Sequence, residues 1–104
     1  MKFIFRSGIA VMLLAVASLW PVAAQAQEAA TRGAAATCAN CHGTEGRSMG
    51  SLPGLAGTDK GYFVQQMQDF KTGKRPATIM HQLAKGFSDA QIEQLAVYFA
   101  AQKK

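Results

Sequence analysis

The sequence predicts an all-α fold of about four helices with one long glycine-rich loop. Apolar residues recur at helical spacing within residues 59–72 and again within residues 89–99. No stretch alternates apolar and polar residues with the period of two that indicates a half-buried strand. Five glycines and one proline between residues 43 and 59 make a continuous helix there unfavourable. At 104 residues, the chain can form one domain at most.

Residues 1–26 have the three parts of a secretory signal peptide. Lys2 and Arg6 give a positive start, residues 9–19 form an apolar run, and Ala24-Gln25-Ala26 supplies the small-x-small cleavage pattern. The alternative is a membrane anchor, but the run is shorter than the roughly 18 residues that favour a spanning helix. We therefore expect cleavage after Ala26 and export to the periplasm.

The mature domain would then comprise residues 27–104, without a membrane span. Loss of Lys2 and Arg6 lowers the formal charge from +5 to about +3, because all six acidic residues follow the cleavage site. The basic residues are scattered, which argues against a nucleic-acid partner and suits orientation of an acidic redox partner. In a domain of about 80 residues, a hydrophobic core alone rarely contributes more than roughly 3–5 kcal/mol. A stabilising cofactor or other cross-link is therefore expected.

The first helix is predicted in the alanine-rich segment 27–41, and the glycine-rich loop follows at residues 43–59. A loop of this length in a compact domain usually has a functional reason. Wrapping one side of a cofactor is such a reason.

The second helix is predicted over residues 59–72. Thr58 or Asp59 can cap its N-terminus, and Gly73 suits the position just beyond its C-terminus. Three apolar side chains at helical spacing form its buried stripe: Phe63, Met67 and Phe70.

A break at Pro76 precedes a short helix predicted over residues 77–85. The last helix begins after Ser88, which is followed three residues later by Gln91 in the pattern of a capping box. Four residues form its apolar face: Ile92, Leu95, Ala96 and Phe99.

The pentapeptide Cys38-Ala39-Asn40-Cys41-His42 has the C-x-x-C-H pattern of covalent haem attachment. Each thiol adds to one haem vinyl group, and two intervening residues let both sulfurs reach adjacent vinyls. The histidine that follows directly supplies a proximal nitrogen to the iron. The motif therefore predicts one haem c, bound through two thioethers from Cys38 and Cys41, with His42 as an iron ligand.

Three other sites use paired cysteines. A thioredoxin-like redox pair requires a βαβ context, which the sequence does not indicate. A structural zinc site needs four ligands, and the only histidines here are His42 and His81. A disulfide between Cys38 and Cys41 would close too small a loop to stabilise much, and it leaves His42 without a role.

Four residues are candidates for the sixth iron ligand: Met49, Met67, Met80 and His81. Met49 follows His42 by only seven residues, too few to pass around the haem edge, and Met67 lies in an apolar stripe where methionine is usually core packing. Met80 follows the break at Pro76, and the chain between His42 and Met80 is long enough to reach the opposite haem face. His81 is the second candidate. Ligation by histidine and methionine leaves no open iron position, which suits electron transfer.

Pro53 lies on the loop that returns past the predicted haem. A metal-ligating histidine usually donates its other N–H to a fixed acceptor, and the Pro53 carbonyl is a candidate acceptor for His42. The alternative is that Pro53 only forms a turn. Leu55 is a candidate for packing against the haem.

Several segments together resemble the class I cytochromes c, in particular the cytochrome c4/c553 group. They are Cys38-Ala39-Asn40-Cys41-His42-Gly43, Leu52-Pro53-Gly54-Leu55-Ala56-Gly57, Tyr62-Phe63 and Phe70-Lys71-Thr72-Gly73-Lys74-Arg75. Residues 78–102 look most like the cytochrome subunit of flavocytochrome c sulfide dehydrogenase, in its single-haem form because only one C-x-x-C-H is present. The resemblance implies a small class I cytochrome c fold. It also implies haem links at Cys38 and Cys41, His42 as proximal ligand, Pro53 as its acceptor and Met80 as distal ligand.

The resemblance further implies a protein that carries one electron at a time and is not itself an enzyme. Its partner would be the flavoprotein subunit that oxidises sulfide, or another redox protein. The alternatives are a free-standing soluble shuttle between respiratory complexes and a haem-based ligand sensor or peroxidase. The last needs an open or labile sixth position, which an available Met80 disfavours.

Overall fold

The computed structural model describes the backbone from residue 4 and the side chains from residue 21, in both cases to residue 104. The chain divides into two compact units, Met1–Ala30 and Thr31–Lys104. Its α-helices are α1 (Ile4–His42), α2 (Lys60–Thr72), α3 (Met80–Lys85) and α4 (Asp89–Ala100), with a 3₁₀ turn at Thr44–Gly46. No strand occurs among the described residues. The all-α prediction is confirmed.

The helix α1 begins earlier than the predicted residue 27 and ends at His42, one residue later than predicted. Alanine-rich sequence continues without a glycine or proline from Val22 to Arg32, so nothing interrupts the helix around residue 27. Side chains 1–20 of the predicted signal peptide lie outside the described residues, and cleavage after Ala26 stays a prediction. Within the part of the chain that is described, no helix has both the length and the apolar character to cross a membrane.

The helix α2 has the two ends that its sequence predicts. The Asp59 carboxylate accepts a hydrogen bond of 2.9 Å from the backbone N–H of Tyr62. Gly73 follows the last turn in the left-handed conformation, with φ of 77°. An N-cap side chain and a left-handed C-terminal glycine each bond backbone groups that the helix leaves unpaired.

The helix α3 is shorter than predicted, because residues 77–79 are not helical. Ile79 has φ of −136° and provides no side-chain cap, and the β-branched pair Thr78-Ile79 weakly disfavours a helix. The helix α4 has its complete capping box. The Gln91 N–H donates to the Ser88 hydroxyl at 3.2 Å, and the Ser88 N–H donates to the Gln91 side chain at 2.8 Å.

One hydrophobic core joins residues from all four helices. It consists of Ala35, Phe63, Met67, Ala84, Ile92, Leu95, Ala96 and Phe99. The ring centroids of Phe63 and Phe99 lie 5.7 Å apart, so α2 and α4 pack directly on each other. All four residues of the predicted apolar face of α4 are buried, and so are two of the three in the predicted stripe of α2.

One backbone hydrogen bond holds the glycine-rich loop against this core, and another joins two parts of the loop to each other. The Gly57 N–H donates to the Phe99 carbonyl at 2.8 Å, and the Leu55 N–H donates to the Gly46 carbonyl at 2.8 Å. Gly46 has φ of +77°, and a Cβ there would lie 2.8 Å from the Leu55 Cβ. The loop therefore requires glycine at position 46 in order to bring residues 53–55 back toward the end of α1.

Candidate functional site

The two cysteines lie in the last turns of α1, three residues apart. Residues at this spacing are neighbours on one helix face. Cys38 is partly buried and Cys41 is exposed, and both thiols are free. Burial raises the pKa of the Cys38 thiol, and a hydrogen bond with Thr37 offsets part of this rise. The helix therefore presents two unpaired thiols side by side.

His42 ends α1, and its ring is fixed by the returning loop. The Nδ1 atom lies 2.6 Å from the carbonyl oxygen of Pro53. A carbonyl oxygen can only accept, so Nδ1 carries the proton and donates it. The lone pair of the imidazole is then on Nε2, which is the arrangement of a histidine ready to ligate a metal through Nε2.

The predicted sixth-ligand candidates have different surroundings. Met80 is the first residue of α3 and is partly buried, packed against the hydrophobic core. Met67 is only 7 % exposed and belongs to the core itself, whereas Met49 is fully exposed. His81 is partly buried, and its Nδ1 atom is buried without a hydrogen-bond partner.

Three of the predicted site residues pack against the hydrophobic core. Cys38, Leu55 and Met80 are all partly buried side chains packed against the same core cluster. Cys41 and His42 follow Cys38 on α1, and Pro53 contacts His42. The structure thus gathers the end of α1, the loop at residues 53–55 and the start of α3 around one cluster.

Three large apolar side chains within three positions of these residues in the sequence are about half exposed. They are Leu52, Ile79 and Leu83. Leu52 precedes Pro53, and Ile79 precedes Met80. Together with the two thiols and the fixed imidazole, these side chains fit a large apolar prosthetic group that binds an iron.

The sequence analysis gave no role to Arg75, which makes two contacts in the structure. Its guanidinium lies 4.8 Å from the centroid of the Phe70 ring and also donates to the side-chain oxygen of Gln66. The sequence signal for the contacts of Arg75 was its position two residues after Gly73, because the chain turns back along α2 there. The buried Nδ1 of His81 was also missed, because burial of a single atom leaves no trace in the sequence.

Residues 26–103 match the family model described as Cytochrome c. The chain belongs to the cytochrome c family. Over 63 residues it is 40 % identical to the cytochrome subunit of sulfide dehydrogenase from Chlorobaculum tepidum. This match covers 61 % of this chain and 57 % of that protein. Over 101 residues it is 37 % identical to the thiosulfate dehydrogenase electron acceptor of Stutzerimonas stutzeri. This match covers 91 % of this chain and 45 % of that protein.

A solved structure of cytochrome c4 from Acidithiobacillus ferrooxidans is similar in fold as well as in sequence. The TM-score is 0.59 and the identity is 41 %, over 62 % of this chain and 37 % of that one. The chain therefore spans between about a third and three fifths of the length of these relatives. The similarity confirms the predicted small class I cytochrome c fold.

Membership of this family decides among the interpretations of the cysteine pair. Cytochromes c bind haem c covalently, and Cys38-Ala39-Asn40-Cys41-His42 supplies the two thiols and the histidine that such attachment uses. The chain therefore contains a cytochrome c domain of the electron-carrying kind.

Proposed function

We propose that this cytochrome is the electron-accepting subunit of a periplasmic flavocytochrome c sulfide dehydrogenase. The overall similarity of residues 78–102 to that kind of subunit supports this partner, as does the relative from Chlorobaculum tepidum. The working protein would be residues 27–104, released into the periplasm by cleavage after Ala26.

We assign the haem-binding roles to five residues. Cys38 and Cys41 form the thioethers, His42 ligates the iron through Nε2, Met80 ligates it through sulfur, and Leu55 packs against the macrocycle. When bound, haem c supplies an iron that gains and loses one electron at a time. The observation that carries the assignment is the hydrogen bond of 2.6 Å between His42 Nδ1 and the Pro53 carbonyl.

This hydrogen bond has two chemical consequences for His42. It holds the ring in one orientation. It also makes the lone pair on Nε2 more basic, because the proton on Nδ1 is partly shared with the carbonyl oxygen. Met80 as a second ligand would raise the reduction potential and would leave no open iron position. The residues therefore favour electron exchange over binding of a substrate at the iron.

A second candidate partner has its own support. The relative named thiosulfate dehydrogenase electron acceptor matches 91 % of this chain, a larger share than the sulfide dehydrogenase subunit does. A free-standing shuttle between respiratory complexes is the third arrangement. All three use the same residues around the iron and differ only in which protein donates the electron.

The experiment that separates these partners is purification of the tagged holoprotein from the periplasm of cells grown on sulfide and on thiosulfate. We expect a flavoprotein to copurify and the complex to reduce its haem when sulfide is added. Copurification of a thiosulfate-oxidising enzyme in place of the flavoprotein would contradict the sulfide proposal. Elution of the cytochrome alone at monomer mass from both cultures would support the free shuttle.

The ligand sensor or peroxidase is tested on the purified protein alone. A closed iron predicts that carbon monoxide leaves the visible spectrum of the reduced holoprotein unchanged at neutral pH. Rapid and complete formation of a carbon monoxide adduct would show an open or labile sixth position. That result would favour the sensor interpretation over electron transfer.

A further inference from the structure

A pocket of about 300 Å³ lies where the C-terminal end of α2 and the loop after it face α3. Its walls include none of the residues assigned to the haem. Four of its lining side chains are basic: Lys71, Arg75, His81 and Lys85. No carboxylate lines the pocket, in a chain whose acidic residues number six.

Each of the three permanent cations retains free N–H groups for a ligand. The Lys71 ammonium lies 3.3 Å from Asp89, which uses one of its three donors. Arg75 donates to Gln66 and stacks on Phe70, and its guanidinium carries five N–H groups. The Lys85 ammonium forms no hydrogen bond or ion pair with any described residue. The positive charge that lines the pocket is therefore greater than the neighbouring side chains neutralise.

His81 adds a further N–H donor to this set. Its Nδ1 is buried with no partner, and a buried N–H without an acceptor is unfavourable. Nδ1 is therefore not the ring nitrogen that faces a ligand. Because the ring lines the pocket, Nε2–H is the atom of His81 that can donate to a ligand there.

We propose that this pocket binds a small tetrahedral oxyanion of the phosphate class. Such an ion accepts several hydrogen bonds at once, and charge-assisted bonds from lysine and arginine are the strong ones. The volume of about 300 Å³ leaves room for such an ion. Lys71, Arg75 and Lys85 supply the charge, and His81 supplies a further N–H donor.

The test is an NMR titration of the isotope-labelled, reduced holoprotein with inorganic phosphate at constant ionic strength. We expect saturable shifts confined to residues 70–85, including the ring nitrogens of His81. Lys85→Gln should weaken the affinity by about tenfold, the effect of losing one charge-assisted hydrogen bond. Lys85 is exposed, so this variant should keep the fold, which its unchanged visible spectrum would verify.

Lys74→Gln is the matched control. Lys74 lies between two lining residues but does not line the pocket itself, and the substitution removes the same charge. We expect its affinity for phosphate to stay within about twofold of the wild type, because an exposed charge that does not contact the ligand is screened by salt. Equal weakening by Lys74→Gln and Lys85→Gln would show general attraction to a basic surface and overturn the proposal. Absence of any saturable shift, as expected if a haem carboxylate already fills the pocket, would overturn it too.

Discussion

The Nδ1 atom of His42 lies 2.6 Å from the carbonyl oxygen of Pro53, a residue eleven positions further along the chain. The contact connects the last residue of α1 to the loop, which a hydrogen bond from Gly57 to the Phe99 carbonyl holds against α4. The orientation of the imidazole therefore depends on loop packing as well as on α1. Substitutions in the loop should change the environment of His42 without altering any side chain that binds the iron.

Pro53→Ala tests this dependence. The carbonyl remains, but the unfolded chain gains backbone freedom, so we expect the free energy of unfolding to fall by about 0.4–1 kcal/mol. We also expect faster solvent exchange of the His42 Nδ1 proton because the loop is less rigid. Denaturant unfolding and NMR of the reduced holoprotein measure the two effects. Pro76→Ala, in a loop that does not contact His42, should leave this exchange rate unchanged; equal acceleration in both variants would contradict the interpretation.

Met80→Ala should remove the weak near-infrared band that marks a methionine–iron bond in the oxidised protein. The reason is that Met80, at the start of α3, is partly buried and packs against the same core cluster as Cys38 and Leu55. Optical spectroscopy of the oxidised holoprotein provides the measurement. Persistence of the band in Met80→Ala would refute the assignment.

Two other methionines provide controls for that experiment. Met67→Leu conserves volume in the core and should cost less than about 1.5 kcal/mol, with the band intact. Met49→Leu changes a fully exposed side chain and should affect neither stability nor the band. Loss of the band in either control would identify a different ligand from the one that we propose.

Local signals account for the parts of the fold that the sequence predicted well. The capping box of Ser88 and Gln91 and the C-terminal Gly73 depend on residues within one helical turn, so their patterns determine them directly. The start of α3 depends on the backbone of Ile79, whose φ of −136° lies outside the helical range. The weak preference of the β-branched pair Thr78-Ile79 against helix is too small a local signal to place that boundary from the sequence. Likewise, neither the stacking of Arg75 on Phe70 nor the buried nitrogen of His81 follows from spacing, because both arise from where two elements meet.

Leu95→Ala and Val97→Ala compare the two faces of α4. Leu95 is 1 % exposed and Val97 is 54 % exposed. Deleting the buried side chain removes apolar contacts and leaves a cavity, at a cost of about 2–5 kcal/mol. The exposed substitution should change the free energy of unfolding by no more than about 0.5 kcal/mol. Denaturant unfolding of both holoproteins checks the difference, and similar costs would contradict the packing of α4 described above.

Asp89→Asn should weaken the dependence of stability on acid pH. A hydrogen bond from Gln68 and then the nearby Lys71 lower the pKa of the Asp89 carboxyl below its ordinary value. With a lowered folded-state pKa, the ionised carboxylate stabilises the fold above the unfolded pKa, and this contribution is lost as the pH falls through the folded value. Unfolding curves measured from neutral pH to below about pH 4 should therefore be flatter for Asp89→Asn.

Gln68→Ala is the partial version of the same change. It removes the donor that lies 2.8 Å from the Asp89 carboxylate and leaves Lys71 in place. We expect an acid dependence between those of the wild type and Asp89→Asn. If Asp89→Asn and the wild type lost stability in parallel across the acid range, the two contacts would contribute nothing to folding.

Replacing both haem-linking cysteines tests whether the cofactor also stabilises the domain. Cys38→Ala with Cys41→Ala removes both thioethers, and a core of this size alone rarely contributes more than about 3–5 kcal/mol. We therefore expect no stable holoprotein and loss of cooperative thermal unfolding, measured by haem content and circular dichroism. Asn40→Ala is the matched control, because it keeps the C-x-x-C-H spacing and should load haem normally. A folded, haem-free double variant with wild-type stability would show that the helices pack without the cofactor, and the half-exposed Leu52, Ile79 and Leu83 would then need another explanation.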